Sequence, residues 1–177
     1  MTSPAPAPSD AAPLDAVVRP AAFRDVRAIF DRIKANPNEL VSRPVSEIML
    51  DIDRFLVAEV DSRIVGTVSW AVLPELDPDL VPSVEIRSLS VDPAYRRRHL
   101  GRRLVDAAVR RISALGARHI IVLTFTPPFF ARLGFEPVSK EKLMYKLYQG
   151  CMRCAKYASP FTCPETAMAL HLPHDAP

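Results

Sequence analysis

The segment that most constrains the fold runs from residue 83 to residue 115 and joins a strand to a helix through a short turn. Residues 83–91, SVEIRSLSV, read as a long strand with apolar Val84 and Ile86 on one face. Asp92-Pro93 supplies the turn, and an amphipathic helix is expected from about Leu100 to Leu115. Such a unit leaves free backbone N–H groups at the helix N-terminus, where they and the helix dipole favour an anion. The segment therefore predicts a pyrophosphate-binding loop.

The same region contains an arginine cluster, because residues 96–103, RRRHLGRR, hold five arginines. A patch of this kind is one way to bind nucleic acid. However, the chain has 23 Lys plus Arg against 20 Asp plus Glu, a formal net charge of only +3. Extensive phosphate binding requires a larger basic excess. We therefore expect no nucleic-acid partner and assign the function of the loop to its backbone.

The remaining pattern predicts one domain of mixed α and β structure. Residues 1–15 are rich in Pro and Ala and predict a disordered arm, followed by a single domain over residues 16–177. Phe23, Val26, Ile29, Phe30 and Ile33 share one helical face, and Leu104 to Leu115 supply another. The other expected elements are a strand at 16–19, a helix at 44–55, a hairpin within 54–73, a strand buried on both faces at 117–125, a short helix at 127–135 and a last strand at 165–172.

No stretch approaches eighteen consecutive apolar residues, so no membrane span is expected. The N-terminus, MTSPAPAPSDAAPLDA, lacks the basic and apolar regions of a secretory signal. With three cysteines and no export signal, the expected location is the cytoplasm, with reduced thiols.

The loop VDPAYRRRHLGRRLV, residues 91–105, resembles the acetyl-CoA pyrophosphate loop of the GCN5-related N-acetyltransferases (GNATs), whose pattern is Gln/Arg-x-x-Gly-x-Gly/Ala. Arg96 matches the first position and Gly101 the last, whereas His99 replaces the first glycine. That replacement either narrows the loop or requires a residue that tolerates unusual φ, and histidine is among the more tolerant non-glycine residues. The resemblance implies an α/β (α+β) GNAT fold with a mostly antiparallel twisted sheet of six to seven strands flanked by about four helices.

The resemblance also implies which residues contact the co-substrate, acetyl-CoA. FFARLGF, residues 129–135, is similar to the family segment F-Y-x-x-x-G-F. Phe130 stands where many members carry a tyrosine that protonates the departing thiolate, so that general acid is missing and water would replace it. The residues expected at acetyl-CoA are Leu89, Ser90, Val91, Arg96, Arg97, Arg98, His99, Leu100, Gly101, Arg102 and Phe130.

A narrower resemblance covers roughly residues 17–172 and concerns the short, single-domain N-acetylglutamate synthases. It rests on Arg43, on EIRSL at 85–89 and on VLTFTPPFFARLGF at 122–135. It implies N-acetylation of a small-molecule amino acid, L-glutamate, at the first step of arginine biosynthesis. A homodimer is common in the family, and the sequence does not decide it.

Acetyl transfer to an amino acid requires a base, because an α-ammonium group must lose its proton before it can attack a thioester. The expected base is Glu85, by its position on the strand that leads into the loop and by resemblance to the family. Glu85 could instead pair with Arg87 or face solvent. Backbone N–H groups near Ser88 to Ser90 are expected to meet the developing oxyanion.

Arg43 and Arg87 correspond by resemblance to positions that hold glutamate carboxylates, as guanidinium groups suit this task. The alternatives are a loop charge for Arg43 and a cross-strand ion pair for Arg87. Thr124 and Thr126 could add hydroxyl donors or be turn residues. Tyr145 is a weaker candidate for a substrate contact or a substitute acid, and its helical neighbours favour a surface or core packing role.

The segment 150–165 raises a separate question, because Cys151 and Cys154 form a C-x-x-C pair and Cys163 follows. With His171 these thiols could make a four-ligand zinc site, but the spacing fits no standard finger. We favour no metal and reduced thiols.

Three other functions stay open. The same fold could acetylate glutamine, another small amine or a peptide N-terminus. The chain could also be a CoA-binding module without catalysis, and nucleic-acid binding is the least favoured alternative.

Overall fold

The computed structural model describes residues 15–76, 82–143, 146, 151, 154 and 157–173. Most of the predicted arm at 1–15, as well as Tyr145, lies outside the described residues. The described part contains seven strands and four α-helices, as expected for the fold class. The strands are β1 (Val17–Pro20), β2 (Phe55–Val60), β3 (Arg63–Leu76), β4 (Pro82–Val91), β5 (His119–Thr124), β6 (Glu136–Pro137) and β7 (Thr166–His171). The helices are α1 (Val26–Lys34), α2 (Val45–Leu50), α3 (Leu100–Ser113) and α4 (Pro127–Ala131).

All seven strands form one sheet in the order β1-β2-β3-β4-β5-β7-β6. Every neighbouring pair is antiparallel except β4 and β5, which run parallel. The β4–β5 ladder is short and joins only Val84 to Ile120 and Glu85 to Ile121. Beyond these two pairs the strands no longer share a ladder, which opens the sheet at its centre.

Strand β4 departs from simple alternation at Ser88. Its register with β3 shifts between the pairs Thr67–Ser90 and Ser69–Arg87, so β4 carries one extra residue there. Ser88 has φ +56°, a left-handed conformation that is uncommon for a non-glycine residue. A bulge of this kind bends a strand and redirects its side chains. Val84, Glu85 and Ile86 are all buried, since this central strand is covered on both faces.

Helix α3 packs on the sheet through Leu104, Val105, Ala108 and Ile112, which are at most 1% exposed. The predicted apolar faces are wrong at two residues, which are exposed and not buried. Leu115 is 69% exposed because α3 ends at Ser113, two residues earlier than the pattern suggests. Phe23 is 68% exposed because it lies in a 3₁₀ turn ahead of α1 rather than in register with that helix.

An ion-pair cluster ties β1 and β2 to the start of α1. Arg19 donates to both carboxylate oxygens of Asp25, at 2.6 and 2.9 Å, and its Nε donates to Glu59 at 2.6 Å. The Ala22 N–H also donates to Asp25, whose side chain is buried. These hydrogen bonds, that of Arg19 first, hold the pKa of Asp25 below its usual value.

We predict that Asp25→Asn lowers the free energy of unfolding at pH 7 by about 1–3 kcal/mol, because a charge-assisted hydrogen-bond pair is lost. The lowered pKa means that Asp25 contributes stability above its unfolded-state pKa of about 4, and that this contribution is lost as pH falls through the folded pKa. The deficit of the variant, measured by urea denaturation, should therefore shrink below about pH 4. Asp31→Asn is the control, since its pair with Arg27 is exposed and is expected to contribute less than about 1 kcal/mol. An equal effect of both variants would contradict the prediction.

Candidate active site

A groove of ≈ 670 Å³ lies where β4 leads into α3. We call it the α3 groove. It is lined by nine of the residues expected at the co-substrate: Leu89, Ser90, Val91, Arg96, Arg97, His99, Leu100, Gly101 and Arg102. Arg98 is exposed and is not among the lining residues.

The backbone of this loop is left-handed at the position where the family pattern has its first glycine and this chain has His99. His99 precedes α3 with φ +58° and ψ 8°, and Arg97 has φ +61°. Of the two consequences expected from a histidine here, the unusual φ is the one observed. Left-handed residues ahead of a helix turn successive N–H groups toward a common concavity, which suits a pyrophosphate.

Gly101 keeps the groove open on the α4 side. A Cβ atom at this position would lie 3.4 Å from Cζ of Phe129 and 3.9 Å from Cγ2 of Val91, both of which line the groove. An alanine would therefore be in contact with the wall, and a larger side chain would occupy the groove itself.

We predict that Gly101→Val raises the KM for acetyl-CoA at least tenfold while changing the KM for the acceptor much less. The reason is the loss of backbone approach at the helix N-terminus. Ser113→Val is a matched control, because it adds the same side chain at an exposed position near the other end of α3. Equal KM values for acetyl-CoA in the two variants would contradict this role of Gly101.

Asn36 is a groove residue that the sequence analysis missed. Its side-chain amide donates to the Arg32 carbonyl at 3.0 Å and to the Ser90 hydroxyl at 2.9 Å, and its carbonyl accepts from Arg96 at 3.3 Å. It thereby connects the end of α1, β4 and the loop arginine. An asparagine after a helix reads as a simple stop signal, so nothing local to residue 36 indicated these contacts.

A second cavity, of ≈ 260 Å³, lies against β4 on the other side of the opening. We call it the β4 cavity. It brings together Glu85, Arg43 and Arg87, the expected base and the two expected carboxylate-binding residues. All three cysteines also line it. Two further lining residues, Lys146 and Glu165, were not singled out by the sequence analysis.

Glu85 is 5% exposed, and its carboxylate accepts from Nζ of Lys146 at 2.7 Å. This contact differs from both alternatives considered from the sequence, a pair with Arg87 or a solvent-facing side chain. Lys146 is 61 positions away in the chain, and no local pattern connects the two residues. Glu165 lies in the same cavity, and burial raises its pKa above the ordinary value.

The two arginines lie around the bulge of β4. Arg43 donates from Nε to the Ser88 hydroxyl at 2.8 Å and pairs with Glu47. Arg87 pairs with Asp51, the residue that follows α2, at 2.9 Å, and this contact differs from the alternative considered from the sequence, a cross-strand ion pair. Burial, together with the like charge of Arg43, lowers the pKa of Arg87.

Among the described residues, Nε of Arg87 is the only buried side-chain nitrogen or oxygen without a hydrogen-bond partner. Buried polar groups in proteins are almost always partnered. An unpartnered guanidinium N–H beside a cavity is therefore a candidate donor to a bound anion.

A narrow cleft of ≈ 80 Å³ joins the groove to the cavity. It shares Leu89 and Thr126 with the α3 groove, and Arg87 and Ser88 with the β4 cavity. The cleft follows the gap between the diverging β4 and β5. A ligand in the groove can therefore extend one end through the cleft toward the β4 cavity.

Thr124 and Thr126 line this cleft and also form a turn. The Thr126 N–H donates to the Thr124 hydroxyl at 2.9 Å, and the two hydroxyls are 3.2 Å apart. Phe130 lies at the inner wall, 3% exposed, with its ring edge-to-face against Phe129 and Phe135. Its ring has no O–H group, so it offers no proton to a leaving thiolate.

The four residues considered for zinc do not come together. Cys151, Cys154 and Cys163 line the β4 cavity, whereas His171 lies at the opposite end of β7, paired with His119. In the described part of the chain, no group of three or more metal-ligating side chains is arranged to hold an ion. Burial raises the pKa of the Cys151 and Cys163 thiols, which makes them poorer metal ligands.

The groove on one side of the opened sheet and the polar cavity on the other, joined by the cleft, provide room for two ligands that meet at β4. Residues 51–137 match the acetyltransferase (GNAT) domain family. An uncharacterized N-acetyltransferase of Chlorobaculum tepidum is 31% identical over 156 residues, which cover 87% of this chain and 95% of the relative. The chain belongs to the GNAT family, whose members are acetyltransferases that use acetyl-CoA.

Other relatives are named amino-acid acetyltransferases. The one from Mycobacterium tuberculosis is 32% identical over 138 residues, covering 77% of this chain and 78% of the relative. The one from Pseudomonas syringae pv. syringae is 33% identical over 130 residues, but the match spans only 29% of that longer protein.

Solved structures give the same fold. A Mycobacterium tuberculosis protein crystallised with CoA superposes with a TM-score of 0.71 at 27% identity, over 88% of this chain and 99% of that chain. The N-acetylglutamate synthase of Neisseria gonorrhoeae, solved with coenzyme A and N-acetyl-glutamate, gives a TM-score of 0.74 at 21% identity, over 90% of this chain and 35% of that one.

Among the described residues, none of the helices combines the length and apolar character needed to cross a membrane.

Proposed function

We propose that this chain transfers the acetyl group of acetyl-CoA to the α-amino group of L-glutamate, as an N-acetylglutamate synthase of arginine biosynthesis. The observation that carries the proposal is the β4 cavity, where Glu85, Arg43 and Arg87 surround one space at the end of the cleft. The relatives named amino-acid acetyltransferases support the same class of acceptor.

In this proposal the α3 groove holds acetyl-CoA and the cleft admits its thioester. The left-handed loop backbone at Arg97 and His99 binds the pyrophosphate through N–H groups, with Arg96 as a charged partner. N–H groups of β4 near the bulge at Ser88 face the gap left by β5 and polarise the thioester carbonyl.

The amino acid occupies the β4 cavity. Its α-ammonium group gives a proton to Glu85, and the neutral amine attacks the thioester carbonyl carbon. The new C–N bond forms in a tetrahedral intermediate, and the C–S bond breaks when that intermediate collapses. The nitrogen loses its second proton to water at this stage, and CoA leaves as a thiolate that water protonates, because Phe130 cannot. Burial raises the pKa of the Cys151 and Cys163 thiols, so an acyl-cysteine route through either of them is disfavoured.

Arg87 and Arg43 bind the carboxylates of the acceptor. The unpartnered Nε of Arg87 gains the hydrogen bond that it lacks. The bound anion also offsets the repulsion between Arg43 and Arg87.

One observation favours a second acceptor, glutamine. Each guanidinium already has an acidic partner, Glu47 for Arg43 and Asp51 for Arg87, and Glu165 adds a further carboxylate to the cavity. An acceptor with a neutral side chain brings one negative charge fewer into this cavity.

The test is release of free CoA thiol from acetyl-CoA with each of the twenty amino acids as acceptor. We expect the highest kcat/KM with glutamate or, on the second candidate, with glutamine. Failure with every amino acid would exclude the proposed class of acceptor. If the protein still binds CoA in that case, a non-catalytic CoA-binding module is the better description.

A further inference from the structure

His119 and His171 form a pair of imidazoles that the proposed reaction does not use. They are direct cross-strand partners in the β5–β7 ladder, and their Nδ1 atoms are 3.0 Å apart. The rings meet edge-to-face with centroids 4.9 Å apart, and His171 is exposed. Two imidazole nitrogens held this close, on two rigid strands, are a preformed pair of ligands.

The distance between the two nitrogens indicates the preferred geometry. A metal–imidazole bond is about 2.0–2.1 Å long, so two nitrogens bound at right angles lie roughly 2.8–3.0 Å apart. Tetrahedral angles would put them about 3.3–3.4 Å apart. The observed 3.0 Å is a hydrogen-bond distance in the metal-free pair, and it already places the two nitrogens at the spacing of neighbouring ligands in the right-angled sites of Ni²⁺ and Cu²⁺.

We propose that His119 and His171 form a two-imidazole site for Ni²⁺ or Cu²⁺ at the end of the β5–β7 ladder, with water completing the coordination. Without metal, one Nδ1–H donates to the other Nδ1. Binding moves that proton to Nε2 of the same ring, so both Nδ1 lone pairs reach the metal with no net loss of a proton. Ring rotation about the broad Cβ–Cγ torsion turns both lone pairs toward one point.

The surroundings of the pair include a carboxylate on the same face of the sheet. Glu136 on β6 is opposite Ala169, two residues before His171, which makes it a diagonal neighbour roughly 7–8 Å away. Its charge favours a cation at the pair, while Arg118, next in sequence to His119, disfavours one. The pair lies at the opposite end of β5 from Thr124, roughly 17 Å from the cleft at the rise of a strand. The inference is therefore independent of the proposed function.

The experiment titrates the full chain, prepared without a histidine tag, with Ni²⁺ alone at neutral pH and follows binding by calorimetry. Two imidazoles held together bind Ni²⁺ at least roughly 10²-fold more tightly than one imidazole alone. His119→Gln and His171→Gln should therefore each weaken Ni²⁺ binding by about that factor. His99→Gln is the control, because His99 precedes α3 and is not part of the β5–β7 ladder, and it should leave the affinity within twofold. Unchanged affinity in either pair variant, or a loss confined to His99→Gln, would overturn the site.

A second measurement excludes an effect of the substitutions on folding. Electron paramagnetic resonance of the Cu²⁺-loaded wild-type protein should show two nitrogen donors for each copper. Signals from sulfur ligands, or from a single nitrogen, would instead place the metal elsewhere and contradict the proposal.

Discussion

Glu85→Gln is expected to lower kcat for acetyl transfer at neutral pH by roughly 10²–10⁴-fold, the usual contribution of a positioned general base. Glutamine keeps the shape of the side chain and its contact with Lys146, but it cannot accept a proton from the acceptor. The KM for acetyl-CoA should change little, because Glu85 lines the β4 cavity and not the α3 groove. The measurement is thiol release under saturating acceptor.

The pH profile separates a catalytic role from a structural one. As pH rises toward the pKa of the acceptor amine, more of the acceptor is already neutral, so the deficit of Glu85→Gln should narrow. Glu165→Gln removes a carboxylate from the same cavity and is the matched control. If that variant loses as much activity, or if Glu85→Gln keeps wild-type turnover at neutral pH, Glu85 is not the base.

Arg87→Ala is expected to raise the KM for the amino-acid acceptor by about 10–150-fold, the equivalent of losing a charge-assisted hydrogen bond of about 1.5–3 kcal/mol. The acceptor KM of Arg87→Lys should fall between those of the wild type and Arg87→Ala, because an ammonium group keeps the charge but not the planar fork of donors. The KM for acetyl-CoA should stay within a few-fold in both variants. Initial rates at varied acceptor concentration measure the effect.

Arg54→Ala is the control for this series. Arg54 approaches the same Asp51 at 3.8 Å, but it is 42% exposed and does not line the cavity. Its loss should leave both KM values near wild type. A comparable rise in the acceptor KM for Arg54→Ala would mean that Arg87 acts by holding Asp51 rather than by binding the substrate.

Much of the fold follows from local pattern because each element has its own signal. The strand, turn and helix between residues 83 and 115 are readable from alternation, Asp92-Pro93 and helical spacing, and the structure confirms them. His99 is the clearest case. The loop pattern requires a glycine-like conformation at that position, and the histidine has φ +58°. Predictions from local pattern fail at the ends of elements, where the periodic signal stops. Leu115 was expected on the buried face of α3, but it lies just beyond the last turn of that helix and is exposed.

The sequence by itself determined the main elements, the family resemblance and the stretch of backbone that lines the α3 groove, since these depend on residues near each other in the chain. Only the tertiary structure decided the partners of the charged groups. Lys146 against Glu85, Asp51 against Arg87 and His171 against His119 are contacts between residues 36 to 61 positions apart. Such pairs depend on how strands and loops are placed by the packing of the whole sheet, and long-range packing leaves no periodic trace in the sequence.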